Sequence, residues 1–150
     1  MKKQIARMLS LLLVMATMLS ASAMAASPGP LVRVNGEIVD FPDGQPYVDE
    51  HDRTMIPVRF VTEALGARVD WNGAEKTVII AKGGITVAIQ IGSSKLTVTT
   101  GDTSTTVQMD TAAVIRDGRT YVPIRYVAEA LGAKVDYSDT YKIVGIHEIP

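Results

Sequence analysis

The sequence predicts an α+β domain: two copies of a strand–short helix–strand-hairpin unit, with both helices packed on antiparallel sheet. Three observations predict it. Residues 53–70 return at 119–136 with twelve of eighteen positions identical at a constant offset of 66. Each copy opens a short apolar stripe with a proline and closes it with a glycine. Elsewhere, runs rich in Val, Ile and Thr alternate apolar with polar and break at Gly-containing turns, the pattern of half-buried strands. Repetition at a fixed period marks one supersecondary unit used again.

The first 25 residues read as a signal peptide. Lys2, Lys3 and Arg7 form a basic start, Met8 to Leu19 is apolar apart from Ser10 and Thr17, and small residues follow at Ala21, Ala23 and Ala25. Cleavage is expected after Ala25, with Ala23 as the other candidate. The alternative is an uncleaved anchor, but a bilayer span needs ~20 apolar residues and this run is short. Residues 26–30 are expected to form a linker. The domain is expected over 31–149, with repeats at 31–82 and 84–149. Localisation is therefore expected to be extracellular or at the cell envelope.

Removing residues 1–25 takes away three of the fifteen Lys and Arg and none of the sixteen Asp and Glu, leaving a net charge of −4. A mildly acidic chain is a poor partner for nucleic acid or an anionic membrane. There is no cysteine. Packing alone must hold an exported domain of this kind, and no thiol is on offer as nucleophile or metal ligand. No second apolar span and no wall-sorting tail are read before Pro150. Retention at the envelope is then expected to be non-covalent.

Along the domain, Asn35-Gly36 between Leu31–Val34 and Glu37–Val39 predicts a hairpin. Phe41 to Pro46 reads as a loop and Tyr47-Val48 as a short strand. Thr54 to Ile56 is extended, because residues before a proline avoid the helical region. Pro57 is expected at the first helical position, where its missing N–H costs nothing. Val58, Val61 and Leu65 then form one apolar stripe. Gly66 is expected to end the helix in a left-handed conformation. Ala67 to Trp71 and Thr77 to Ile80 are strands, and Gly83-Gly84 is expected to separate the two units. Ile85–Ile91, Lys95–Thr99 and Thr105–Met109 follow as strands. Pro123, Leu131 and Gly132 repeat the helix signals, and the last strands are Ala133–Tyr137 and Lys142–His147. Helices this short are unstable alone and must lie against the sheet.

The doubled motif Arg-Thr-x-[Ile/Val]-Pro-[Val/Ile]-Arg-[Phe/Tyr]-Val-x-Glu-Ala-Leu-Gly-Ala-x-Val-Asp-[Trp/Tyr] resembles the copper amine oxidase N-terminal-like, or stalk, domain family. The resemblance covers roughly residues 31–148. It implies a module of the kind common in exported proteins of Gram-positive bacteria, alone or attached to enzymes. In the oxidase that names the family this region is an accessory stalk remote from copper and the quinone. No oxidase chemistry and no cofactor are therefore expected of these residues.

The residues agree with that implication. His51 and His147 are the only histidines and do not occupy matching repeat positions, so no copper or zinc ligand set is expected. Asp110, Asp136 and Asp139 lack calcium-loop spacing. Ser93 and Ser94 lack a nucleophile-elbow motif. Glu63 with Asp70, and Glu129 with Asp136, could serve as the two carboxylates of a glycosidase. The plainer expectation pairs Arg59 with Glu63 and Arg125 with Glu129, four residues apart on a helix.

Arg59 and Arg125 also carry a binding reading. Each stands in the first turn of a helix without an obvious capping side chain, so a guanidinium beside free N–H groups could take an anion. Bonding to carbonyls of a neighbouring strand is the other possibility. Trp71 and Tyr137 occupy equivalent positions after the last repeated Asp. They are expected to cap the helix–sheet core, although exposed rings of this kind stack on sugars in carbohydrate modules.

Three functions remain open at this level. One is a non-catalytic exported module that binds a cell-wall polymer or another exported protein. The second is a small secreted glycan hydrolase using the duplicated carboxylates. The third is a ligand-free structural spacer.

Overall fold

The computed structural model describes residues 28–150. The expected signal peptide at 1–25 and the first residues of the expected linker lie outside the described residues. Gly29 passes so close to Pro46 that a Cβ there would stand 1.9 Å from the Pro46 carbonyl oxygen. The end of the expected linker thus lies against the domain.

Strands β1 (Leu31–Val34) and β2 (Glu37–Ile38) form a hairpin. Its turn residues Asn35 and Gly36 have φ of 51° and 87°, the doubly left-handed turn that matches strand twist. Then come β3 (Tyr47–Val48), β4 (Thr54–Pro57), helix α1 (Val58–Ala64), β5 (Arg68–Asn72), β6 (Thr77–Lys82) and β7 (Ile85–Gln90). The second half runs β8 (Lys95–Thr100), β9 (Thr103–Gln108), β10 (Val114–Arg116), β11 (Arg119–Pro123), helix α2 (Ile124–Ala130), β12 (Ala133–Ser138) and β13 (Ile143–Glu148). Among the described residues the fold is mostly strand, with two short helices.

The strands form three sheets, ordered β12-β13-β1-β2, β10-β11-β4-β3 and β5-β6-β7-β8-β9. All three sheets mix the two halves of the chain. Every pairing is antiparallel except one: β1 runs parallel to β13, from Leu31 opposite Ile143 to Val34 opposite Ile146. The sheet that carries the helices is antiparallel, as expected, and the β1–β13 pair is the exception. The two strands come from opposite ends of the domain, so no hairpin constrains their direction. In the middle sheet β4 pairs with β11, placing Ile56 opposite Val122. Both helices pack on this ladder.

Two local expectations need correction. Pro57 and Pro123 are the last strand residues and cap the helices from outside, instead of opening them as first helical residues. Their ψ angles of 112° and 103° are extended, because each is held in the β4–β11 ladder opposite Tyr121 or Met55. Gly83-Gly84, expected between the two units, is the tight turn of the β6–β7 hairpin, with Lys82 paired to Ile85. The second correction concerns Trp71 and Tyr137, described below.

The helix ends follow the sequence. Gly66 has φ of 72° and Gly132 of 84°. At α1 the Gly66 N–H donates to the Glu63 carbonyl at 2.8 Å and the Ala67 N–H to the Thr62 carbonyl at 2.8 Å. These paired bonds satisfy carbonyls that a helix end otherwise leaves bare. The stripe is buried: Val61, Leu65, Val127 and Leu131 are at most 5% exposed. One core cluster draws on both halves, joining Val32, Ile56, Ile80 and Ile89 to Leu96, Val122, Ile124 and Ile146.

Candidate functional site

The first turn of each helix emerges beside the far end of the strand that follows it. At α2 this places Arg125 over the ring of Tyr137, 4.9 Å from guanidinium carbon to ring centroid. At α1, Arg59 and Trp71 line one cleft together. Trp71 is 47% exposed and Tyr137 40%, so neither caps the core as expected. The reason is position. Val69 and Val135 share their face of β5 and β12 and lie under the helices, whereas the aromatics stand two residues further along, past the helix start. Both strands are sheet edges, which leaves the rings open on one side.

Each cleft is completed by the other half of the chain. The Tyr137 cleft holds Thr54 of β4 and Arg53 just before it with Pro123 to Tyr126 and Val144. The Trp71 cleft holds Arg119 and Thr120 of β11 with Pro57 to Phe60 and Val78. These residues correspond one by one at the offset of 66. The exchange follows from the β4–β11 ladder, which carries the start of each repeated block across to the helix of the other.

Arg53 and Arg119 were visible in the sequence only as the first residues of the repeated block, and their partners were not visible at all. Arg53 forms an ion pair with Asp110. Arg119 donates from Nε to Asp43 at 2.8 Å, and a second guanidinium nitrogen bonds the same carboxylate. The bond from Arg119 holds the Asp43 carboxyl below its usual range, against a smaller opposing effect of burial. For Asp110, burial pushes upward, but Arg53 and Tyr126 together outweigh it and the carboxyl is again lowered. Burial and the facing Asp110 carboxylate raise the Tyr126 hydroxyl. Phe60 takes the place of Tyr126 in the Trp71 cleft, which therefore lacks that hydroxyl.

The expected helix ion pairs do not form. Among the described residues no ion pair joins Arg59 to Glu63 or Arg125 to Glu129. The side chains leave the helix in different directions: Glu63 borders a depression with Val34, Asn35 and Ile38, while Arg59 faces the Trp71 cleft. Of the carboxylates proposed for hydrolysis, Glu63 and Asp70 border different depressions. Asp70 lines the Trp71 cleft, away from Glu63, and pairs with Arg68 at 3.4 Å. Asp136 pairs with Lys134 at 3.6 Å, and Glu129 is exposed. His51 lies 3.6 Å from Asp49 and His147 3.9 Å from Asp136. Among the described residues no group of three His, Cys, Asp or Glu side chains is placed to hold a metal ion.

Residues 33–146 match the model of the copper amine oxidase N-terminal domain. The chain belongs to this family. The copper amine oxidase N-terminal domain here is also similar to a protein named "Protease inhibitor" from Brevibacillus choshinensis, 29% identical over 134 residues. That alignment covers 81% of this chain and 36% of the relative, so the chain spans about a third of the relative's length. No solved structure gives a significant match. No helix among the described residues is long and apolar enough to cross a membrane.

Proposed function

We propose that this chain is a non-catalytic exported module, built from two copies of one unit, that holds a cell-envelope component through its two clefts. The observation that carries the reading is the exposed aromatic beside an arginine in both clefts. A single exposed apolar residue is ordinary on a protein surface; here the same pairing of ring and arginine recurs at matching positions of both copies. Export is supported by the basic start and apolar run of residues 1–25. The parting of Glu63 from Asp70 speaks against a hydrolase that uses that pair, and the place of the family domain outside the oxidase centre speaks against amine oxidation.

The test is sedimentation of the exported protein with isolated Gram-positive cell wall. Retention is expected, and it should weaken as salt is raised, because exposed charges are screened. Arg59→Ala with Arg125→Ala should lower retention while leaving the denaturation midpoint nearly unchanged, since both arginines are exposed and surface changes are usually within about 0.5 kcal/mol. Free passage of the unmodified protein into the supernatant would leave the spacer reading in its place.

The relative's name favours a second reading in which the partner is an extracellular protease. Slower cleavage of a casein substrate by a secreted bacterial protease, in proportion to added protein, would support it. A glycan-hydrolysis screen tests the remaining alternative.

A further inference from the structure

We infer that the domain is divalent: the Trp71 and Tyr137 clefts are two separate, corresponding sites for carboxylated sugar units of an acidic polysaccharide. This rests on the reading of the chain as an envelope-binding module and adds the ligand's chemistry and the stoichiometry.

The clefts contain three kinds of group, and each suits one part of such a sugar. The exposed ring offers a flat apolar face with a polar rim, which matches the C–H face of a pyranose. Trp71 also presents its indole nitrogen beside Gly73 in the hairpin turn. The crossing ion pair, Arg119 with Asp43 or Arg53 with Asp110, is already neutralised. Its remaining N–H groups and lone pairs suit sugar hydroxyls, which both donate and accept.

The third group is the guanidinium that no carboxylate neutralises. Among the described residues Arg59 and Arg125 enter no ion pair. Arg125 rests on the Tyr137 ring instead. A planar fork without a counter-charge fits a ligand carboxylate, with two parallel N–H···O bonds. A neutral sugar would leave it unused. A polyanion without a sugar ring would leave the aromatic unused. Ring, free guanidinium and the arginine of the paired charge recur together at the offset of 66, with the paired carboxylates Asp43 and Asp110 at 67, so whatever one cleft takes, the other takes also. The clefts are not identical: Tyr126 adds a hydroxyl only beside Tyr137, which predicts two unequal affinities.

The test is titration of the exported protein with trigalacturonic acid, followed by calorimetry, alongside sedimentation with polygalacturonate. Two trisaccharides per chain are expected. Trp71→Ala and Tyr137→Ala should each leave one, and the double variant none. On the polymer, each single variant should bind about 100-fold more weakly, because loss of one site removes the avidity of two. Arg59→Ala, at an exposed position, should remove the Trp71 site without unfolding. It keeps the test valid if Trp71→Ala destabilises the fold. Dextran and polyglutamate should both bind poorly. One trisaccharide per chain, equal binding of polyglutamate, or stoichiometry indifferent to ring removal would overturn divalent sugar recognition. If the protein still sediments with cell wall in that case, the envelope-binding reading survives; if it does not, both fall.

Discussion

Ile56 and Val122 face each other across the β4–β11 ladder, and both side chains are 0% exposed. They are 66 residues apart, the offset of the repeat, so one position of the repeated block meets itself. Their flanking pairs, Met55 with Pro123 and Pro57 with Tyr121, exchange under the same relation. A shared buried contact predicts coupling. Ile56→Ala should cost ~2–5 kcal/mol, and the double variant with Val122→Ala should depart from the sum of the single costs by about 0.5–3 kcal/mol. Urea unfolding of the four proteins measures it. Simple additivity would mean that the two side chains do not share one packing site.

Leu65 and Leu131 end the apolar stripes of α1 and α2 at 2% and 5% exposure. Leu65→Ala or Leu131→Ala should each destabilise by ~2–5 kcal/mol, a large part of the margin of a domain this size. The denaturant midpoint should fall while the slope stays constant. An unchanged midpoint would contradict their place in the core.

Gly66→Val and Gly132→Val should destabilise through the backbone alone. A Cβ at either position would meet nothing within 4 Å, so the cost is not a clash. It is the left-handed φ of 72° and 84°, which costs a residue with a side chain about 1–2 kcal/mol, and more when it is β-branched. Thermal unfolding should show a lower midpoint for both. A valine variant as stable as the original would mean that the helix ends do not need this conformation.

Acid should weaken the two crossing ion pairs. Asp43 and Asp110 are lowered from an ordinary 3.8, so the folded state binds their protons less readily than the unfolded state does. The stability they contribute is present above that ordinary value and is lost as pH falls through the folded values. The unfolding midpoint should therefore hold steady from neutrality to about pH 5 and drop below about pH 4, allowing one unit above the ordinary carboxylate value. Asp43→Asn with Asp110→Asn should flatten part of that drop. An equally steep drop in the double variant would assign it to other carboxylates.

Much of the scaffold was legible in the chain. Helix stripes, the Asn35-Gly36 turn and the closing glycines are local, and nearest neighbours decide them. The clefts were only half legible. Arg59, Arg125, Trp71 and Tyr137 stood out as matched positions, but their partners did not. Asp43 and Arg119 are 76 residues apart, and Asp110 and Arg53 57 apart, and no pattern in sequence links such pairs. The expectation for Trp71 and Tyr137 failed because their alternation does place them on the core face. Alternation cannot say where the covering helix stops.

The sequence by itself determined the two-fold use of one motif, the helix and turn punctuation, the buried stripe and the family. Those depend on backbone preferences and on the period of apolar residues, which act over a few positions. Only the tertiary structure decided that β4 pairs with β11, that β1 lies parallel to β13 and that each cleft is made by both halves. Strand pairing places backbone groups from distant parts of the chain side by side. Any apolar strand of the right length satisfies the local rules for such pairing, so packing of the whole core selects the partner.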